Sequence, residues 1–116
     1  MVRRGEVYWA ELAPRSGAEQ SGYRPVVIVS NDGFNQAASW RSLIVVPVST
    51  SESQAKRGPS TVFLASGSAG LERDSVVVCH QITTLDRSKL KKRSGELSAV
   101  ELKRVEAGIK AALELL

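Results

Sequence analysis

This chain of 116 residues has a single cysteine, Cys79, and a single histidine, His80. One cysteine excludes an internal disulfide. One His and one Cys, with no carboxylate cluster at ligand spacing, give no zinc pattern, so no metal and no cofactor are expected. No apolar run is long enough to span a membrane, and no signal peptide opens the chain. The cytoplasm is therefore the expected location. Internal repeats and interdomain linkers are also missing. The length suits one domain over residues 1–116 with one modest core. The formal net charge is +4. That balance suits an anionic partner such as nucleic acid, although many small domains are mildly basic.

The apolar residues come in short runs. Gly5 to Glu11 alternates, with Val7 and Trp9 on one face and Glu6 and Tyr8 on the other, as in a half-buried strand. Trp9 reads as core rather than as a platform for a base. Leu12 to Gly22 is a loop. Pro25 to Val29 reads as a buried strand, and Asn31 to Ala38 as a helical turn capped by Asn31 or Asp32. Leu43 to Val48 is apolar on both faces and therefore central. Pro47 within it suggests a bulge or an early end. Ser49 to Ser60 is a second polar loop, with Lys56 and Arg57. Thr61–Leu64 and Ser75–Cys79 are further strands, and Cys79 is expected to be a core thiol. Thr83 to Lys92 reads as a turn before a last strand near Arg93–Glu96. Ser98-Ala99-Val100-Glu101 is a capping box. The helix it opens carries Leu102, Val105, Ile109, Ala112, Leu113 and Leu116 at helical spacing. Gly108 within it costs about 1 kcal/mol against alanine. Short strands followed by one helix indicate an α+β, mainly β fold: a small, strongly curled antiparallel sheet or barrel with a C-terminal helix.

The stretch from Glu19 to Asp32 is the chemical centre. Pro25 fixes its own φ and biases Arg24 toward an extended conformation. A guanidinium is thereby held at a strand mouth behind a polar loop, an arrangement suited to gripping phosphate. If the strands around Pro25–Val29 and Leu43–Val48 pair antiparallel as neighbours, Arg24 meets Ser49 and Thr50 at one mouth. His80 and Gln81, at the end of another strand, reach the same mouth if that strand has the right sense.

Five pieces carry a resemblance: Arg4-Gly5-Glu6-Val7-Tyr8-Trp9; Glu19-Gln20-Ser21-Gly22-Tyr23-Arg24-Pro25; Ser30-Asn31-Asp32; Arg73-Asp74-Ser75-Val76; and Gln81-Ile82. Together, in order and across nearly the whole chain, they resemble the MazF (PemK/Kid) toxin family. That resemblance implies an SH3-like barrel core and a ribosome-independent endoribonuclease of a type II toxin–antitoxin system. It also implies a homodimer that binds single-stranded RNA in a groove across both subunits. The implied partner is a MazE-like antitoxin with a disordered acidic tail. The products implied are a 2′,3′-cyclic phosphate and a 5′-hydroxyl.

The family assigns catalytic roles to the Arg matching Arg24 and to a Thr or Ser matching Ser49, with Thr50 adjacent. A guanidinium with a pKa above about 12 is unsuited to act as a base. Arg24 is therefore expected to stabilise the charged phosphorane. Candidate RNA contacts are Glu19, Gln20, Tyr23, Asn31, Lys56, His80 and Gln81. An amide such as Gln81 can read base edges of unstacked RNA. His80 departs from the family pattern: it can bond a base, serve as an auxiliary acid or base, or have no role. The basic run Arg87, Lys89, Lys91, Lys92, Arg93 is either a phosphate-tracking patch or a solvated face. Two other functions compete: a non-catalytic inhibitor like the related CcdB toxins, which poison gyrase, and a barrel that binds RNA without cutting it.

Overall fold

The computed structural model describes residues 1–12, 17, 19–50 and 58–115. The elements are β1 (Glu6–Glu11), β2 (Tyr23–Ile28), α1 (Asp32–Asn35), β3 (Ser42–Ser49), β4 (Thr61–Leu64), β5 (Ser75–Val78), β6 (Thr83–Asp86), β7 (Leu90–Glu96) and α2 (Ala99–Leu113). Three 3₁₀ turns, at Ser68–Gly70, Cys79–Gln81 and Arg87–Lys89, join the later strands.

The strands make one antiparallel seven-stranded sheet in the order β4-β5-β3-β2-β1-β7, with β6 also on β3. The sheet does not close, since β4 and β7 end its path without pairing. The expected mainly-β sheet with a terminal helix is therefore present, but as an open sheet. β3 is central because it serves three partners. One edge pairs with β2. The other pairs with β6 up to Val45 and with β5 from Val48. Pro47, which cannot donate to a ladder, sits at this changeover. The strand continues through it to Ser49, so the sheet accommodates the proline by a change of partner rather than by an early end.

Apolar residues on both faces of β3 produce two buried clusters. Val7, Val27, Val46, Val48, Val77 and Cys79 lie in the first, which α2 covers with Val105, backed by Leu102 and Ile109. Ala10, Leu12, Val26, Ile28, Leu43, Val45 and Leu85 form the second. β6 lies within the span read from sequence as a turn. Of its residues only Leu85 is buried, so its sequence carries little apolar signal.

The helix start matches its capping box. Ser98 Oγ accepts from the Glu101 backbone N–H at 3.1 Å, and Glu101 accepts from the Ser98 N–H at 2.8 Å. The apolar stripe buries Val105 but leaves Leu113 exposed, as is Leu115 just beyond the helix. Gly108 has a packing reason: a Cβ there would stand 2.8 Å from Cys79 Sγ and 3.2 Å from a Val62 methyl. Cys79 is buried, and burial pushes its thiol pKa up to about 11. Gly108→Ala is therefore expected to destabilise by about 1–3 kcal/mol through overpacking, despite the helix-propensity gain of about 1 kcal/mol. Adding Cys79→Ala should recover most of that loss. Urea denaturation of the single and double variants checks this, and a more stable single variant would refute it.

Candidate active site

Arg24 lies in β2, opposite Ala10 of β1. Its Nε donates to the Ser21 carbonyl at 2.9 Å, which fixes the side chain over the preceding turn. Both terminal nitrogens are left without a partner among the described residues. The β2–β3 register runs from Ile28↔Val45 to Val26↔Pro47, toward the Arg24 and Ser49 ends of the two strands. Arg24, Ser49 and Thr50 accordingly border one hollow of about 560 Å³. The two hydroxyl residues differ. Ser49 is buried and has a partner, whereas Thr50 is exposed.

The rest of this hollow comes from elements distant in sequence. Tyr23 and Trp9 line it and stack on one another, with ring centroids 5.3 Å apart and planes 23° from parallel. Trp9 shares a face with Val7 but falls outside both buried clusters, so the core role read from its alternation is not what the fold gives it. Arg73, Lys92 and Arg93 bring three more cations, against the single carboxylate of Glu72 among the described residues. Arg73 stands on a segment locked to β7. A Cβ on Gly70 would lie 2.1 Å from the Ser94 carbonyl oxygen, and one on Gly95 would lie 2.4 Å from the Ala69 carbonyl. Ser94 Oγ also donates to that Ala69 carbonyl at 2.8 Å.

A second hollow, of about 250 Å³, lies beside Leu12 and Pro47 and is lined by Glu19, Gln20, His80, Gln81 and Thr83. β5 runs antiparallel to β3 and begins at the Arg24 mouth, so Ser75 borders the first hollow and His80 does not. The strand therefore has the sense that carries His80 and Gln81 away from Arg24. The Gln20 N–H donates to Gln81 Oε1 at 2.7 Å, which joins the first long loop to the end of β5. Gln20 Oε1 is buried, with no hydrogen-bond partner among the described residues. His80 Nδ1 stands 3.5 Å from Ser60 Oγ.

The sequence matches the family model described as PemK-like, MazF-like toxin of type II toxin–antitoxin system over residues 3–113. The chain belongs to this family. It is 36% identical over 115 residues to the endoribonuclease MazF2 of Mycobacterium bovis, covering 99% of each chain. It is 37% identical over 115 residues to the endoribonuclease MazF of Staphylococcus saprophyticus, covering 99% of this chain and 93% of that one. The crystal structure of MazF from Deinococcus radiodurans superposes with a TM-score of 0.79 at 26% identity, covering 97% of this chain and 96% of that one.

In this MazF-like chain the remaining candidates lie elsewhere. Asn31 borders neither hollow. Its Oδ1 accepts from the Gly33 and Phe34 N–H groups at 2.7 and 3.3 Å and caps α1. Lys56, with Arg57, lies outside the described residues, as does much of each long loop. The basic run divides between structural and exposed positions, with Lys91, Lys92 and Arg93 exposed. Arg87 donates to the Phe34, Ala37 and Trp40 carbonyls and closes the segment after α1. Lys91 donates to the Ser88 carbonyl at 3.3 Å. Of the five, Lys92 and Arg93 border the Arg24 hollow. Sequence reading did not name Arg73 as a site residue, and it took the half-buried Trp9 for core rather than for the wall it forms with Tyr23. Arg73 carried a signal as part of the Arg73–Val76 piece of the family resemblance, as did Trp9 in the Arg4–Trp9 piece.

Proposed function

We propose that this protein is the toxin of a type II toxin–antitoxin pair, a metal-independent endoribonuclease that cuts single-stranded RNA in the cytoplasm. The observation that carries this reading is Arg24: two guanidinium nitrogens without a partner among the described residues, beside two strand-end hydroxyls, in a cationic hollow with an aromatic wall. Family membership and the named activity of its full-length relatives support it.

In the proposed step the ribose 2′-oxygen attacks the neighbouring phosphorus and loses its proton. The P–O5′ bond breaks, and the leaving 5′-oxygen gains a proton. The products are a 2′,3′-cyclic phosphate and a 5′-hydroxyl, with no net proton consumed. Arg24 offers its paired donors to the phosphorane oxygens, whose charge grows in the transition state. A hydroxyl of Ser49 or Thr50 donates to, or relays a proton at, the same phosphate. Glu19, Gln20, Tyr23, His80 and Gln81 contact the RNA. The Gln81 amide, held by the Gln20 N–H, suits reading of a base edge, because unstacked bases expose theirs. Among the described residues, no three His, Cys, Asp or Glu side chains converge as metal ligands. No helix among them is long and apolar enough to cross a membrane.

The functional unit in this reading is a homodimer. The exposed Leu113 and Leu115 at the end of α2 offer apolar surface for association. The partner is a MazE-like antitoxin, whose acidic tail competes with RNA for the cationic hollow.

Incubation with a long unstructured RNA, with and without EDTA, tests the reading. Cleavage unaffected by chelation, at selected sequences and with cyclic-phosphate ends, is expected. Binding without cleavage would favour the RNA-binding barrel, and no RNA interaction at all would favour the gyrase-inhibitor class. Ser49→Ala and Thr50→Val, made separately, should differ in kcat, and the larger loss marks the hydroxyl that meets the phosphate. Equal, negligible losses would remove the hydroxyl from the mechanism.

A further inference from the structure

The path of the sheet ends at two strands, β7 and β4. An edge strand presents unpaired backbone groups to any other chain, and charged side chains are one means of keeping that chain away. β7 supplies its own, since Lys91, Lys92, Arg93 and Glu96 lie within it. β4 has none. From Ser60 to Ser66 the chain reads Ser-Thr-Val-Phe-Leu-Ala-Ser, seven residues without charge, proline or glycine. Short neutral segments of high β-propensity are the ones that pair with their own copies. Phe63, in the middle of this one, is 53% exposed.

The backbone shows how this edge is closed. The Cys79 N–H donates to the Ser60 carbonyl at 2.9 Å, so Ser60 bonds toward β5. Bonding sides alternate along an antiparallel strand, so Val62 and Leu64 also bond toward β5, while Thr61 and Phe63 turn outward. Each outward residue has one of its two groups taken. The Thr61 N–H donates to the Gly58 carbonyl at 3.1 Å. The Phe63 carbonyl accepts from Arg104 Nη2. Just beyond the strand, the Ala65 carbonyl accepts from the Ser68 N–H at 3.0 Å. The first and last of these are local turns. Arg104 is different: it reaches over from α2, 41 residues away in sequence. Among the described residues it is the one charged side chain that bonds to β4.

The occupant that fits this edge is a second β4. About a two-fold axis at Phe63, two copies would exchange N–H and carbonyl bonds there, as facing residues of an antiparallel pair do. The same axis would set the two exposed rings side by side, a favourable cross-strand pair. No like charges within the two strands would oppose it. Arg104 obstructs this pairing twice. It occupies the Phe63 carbonyl, and it would bring a cation from each copy to the same place.

We propose that Arg104 guards the β4 edge, and that without it two copies of this chain join strand to strand through Phe63. The proposal is independent of the ribonuclease reading, and of association through the end of α2.

Sedimentation velocity on the full chain, over a wide range of concentration, tests it. Wild type is expected to keep one assembly state, and Arg104→Ala to form larger species as concentration rises. Amide hydrogen exchange then locates the contact. In wild type the outward Phe63 N–H should exchange freely, while Val62 and Leu64 are protected by β5. In associated Arg104→Ala the Phe63 amide should slow by about tenfold or more, with Val62 and Leu64 little changed. Adding Phe63→Lys puts a charge on the edge and should restore the wild-type assembly state. If the alanine variant is unfolded, Arg104→Met takes its place, because it keeps an apolar stem on β4 and removes only the charged donor. Association that persists with Phe63→Lys, or that leaves the Phe63 amide exchanging freely, would run through another surface and overturn the proposal. So would a folded Arg104 variant that keeps the wild-type assembly state at every concentration.

Discussion

Arg24→Ala is expected to lower kcat for RNA cleavage by about a hundredfold or more, the effect of removing a key transition-state donor. The reason is the side chain's division of labour. Nε is committed to the Ser21 carbonyl, and the outer nitrogens are presented to the hollow. Its position on β2 rather than on a loop keeps that presentation rigid. Truncation should leave thermal stability within about 0.5 kcal/mol of wild type, because Arg24 belongs to neither buried cluster. Arg24→Lys should recover little, since an ammonium cannot make both the Ser21 contact and a paired contact to phosphate. Single-turnover kinetics with excess enzyme separate this loss from weaker binding. A fully active alanine variant that melts normally would rule out Arg24 as the charge stabiliser.

Gly70→Ala is expected to cause the largest loss of stability, about 3 kcal/mol or more. Two effects combine. Gly70 has φ +76°, a region that alanine enters at a cost of about 1 kcal/mol. Its new methyl would also meet the Ser94 carbonyl oxygen at 2.1 Å, which forces backbone apart and adds the roughly 1–3 kcal/mol of overpacking. For a domain whose total stability is about 5–15 kcal/mol, that is a large share. Denaturant midpoints should fall accordingly. At denaturant concentrations where the variant is still folded, RNA affinity should fall too, because the displaced segment carries Arg73. A midpoint unchanged from wild type would mean that the segment and β7 are not locked as described.

The features legible in the sequence are those decided locally or between consecutive strands. The Ser98–Glu101 box needs only four residues. The meeting of Arg24 with Ser49 and Thr50 needs only that β2 and β3 pair as neighbours. β6 was lost because Thr83, Thr84 and Asp86 hide a strand whose one buried side chain is Leu85. Trp9 was misjudged because alternation reports which face a residue takes, not whether anything covers that face. The basic run was legible as a run, but which of its members border the hollow was not, because that depends on how β7 pairs with β1. The placing of His80 turned on the sense of β5, and that is a property of the whole sheet.

The pairing of β1 with β7 has a consequence for synthesis on the ribosome. Val7 faces Gly95 across the ladder, so the first strand made must wait for almost the last before its edge is filled. Contacts so distant in sequence form late, because the entropy of closing the loop comes before the gain. Part of the cationic wall arrives with β7 as well. A growing chain therefore carries Arg24 long before it carries a complete hollow, and the translation machinery is spared a finished nuclease until the chain is nearly released.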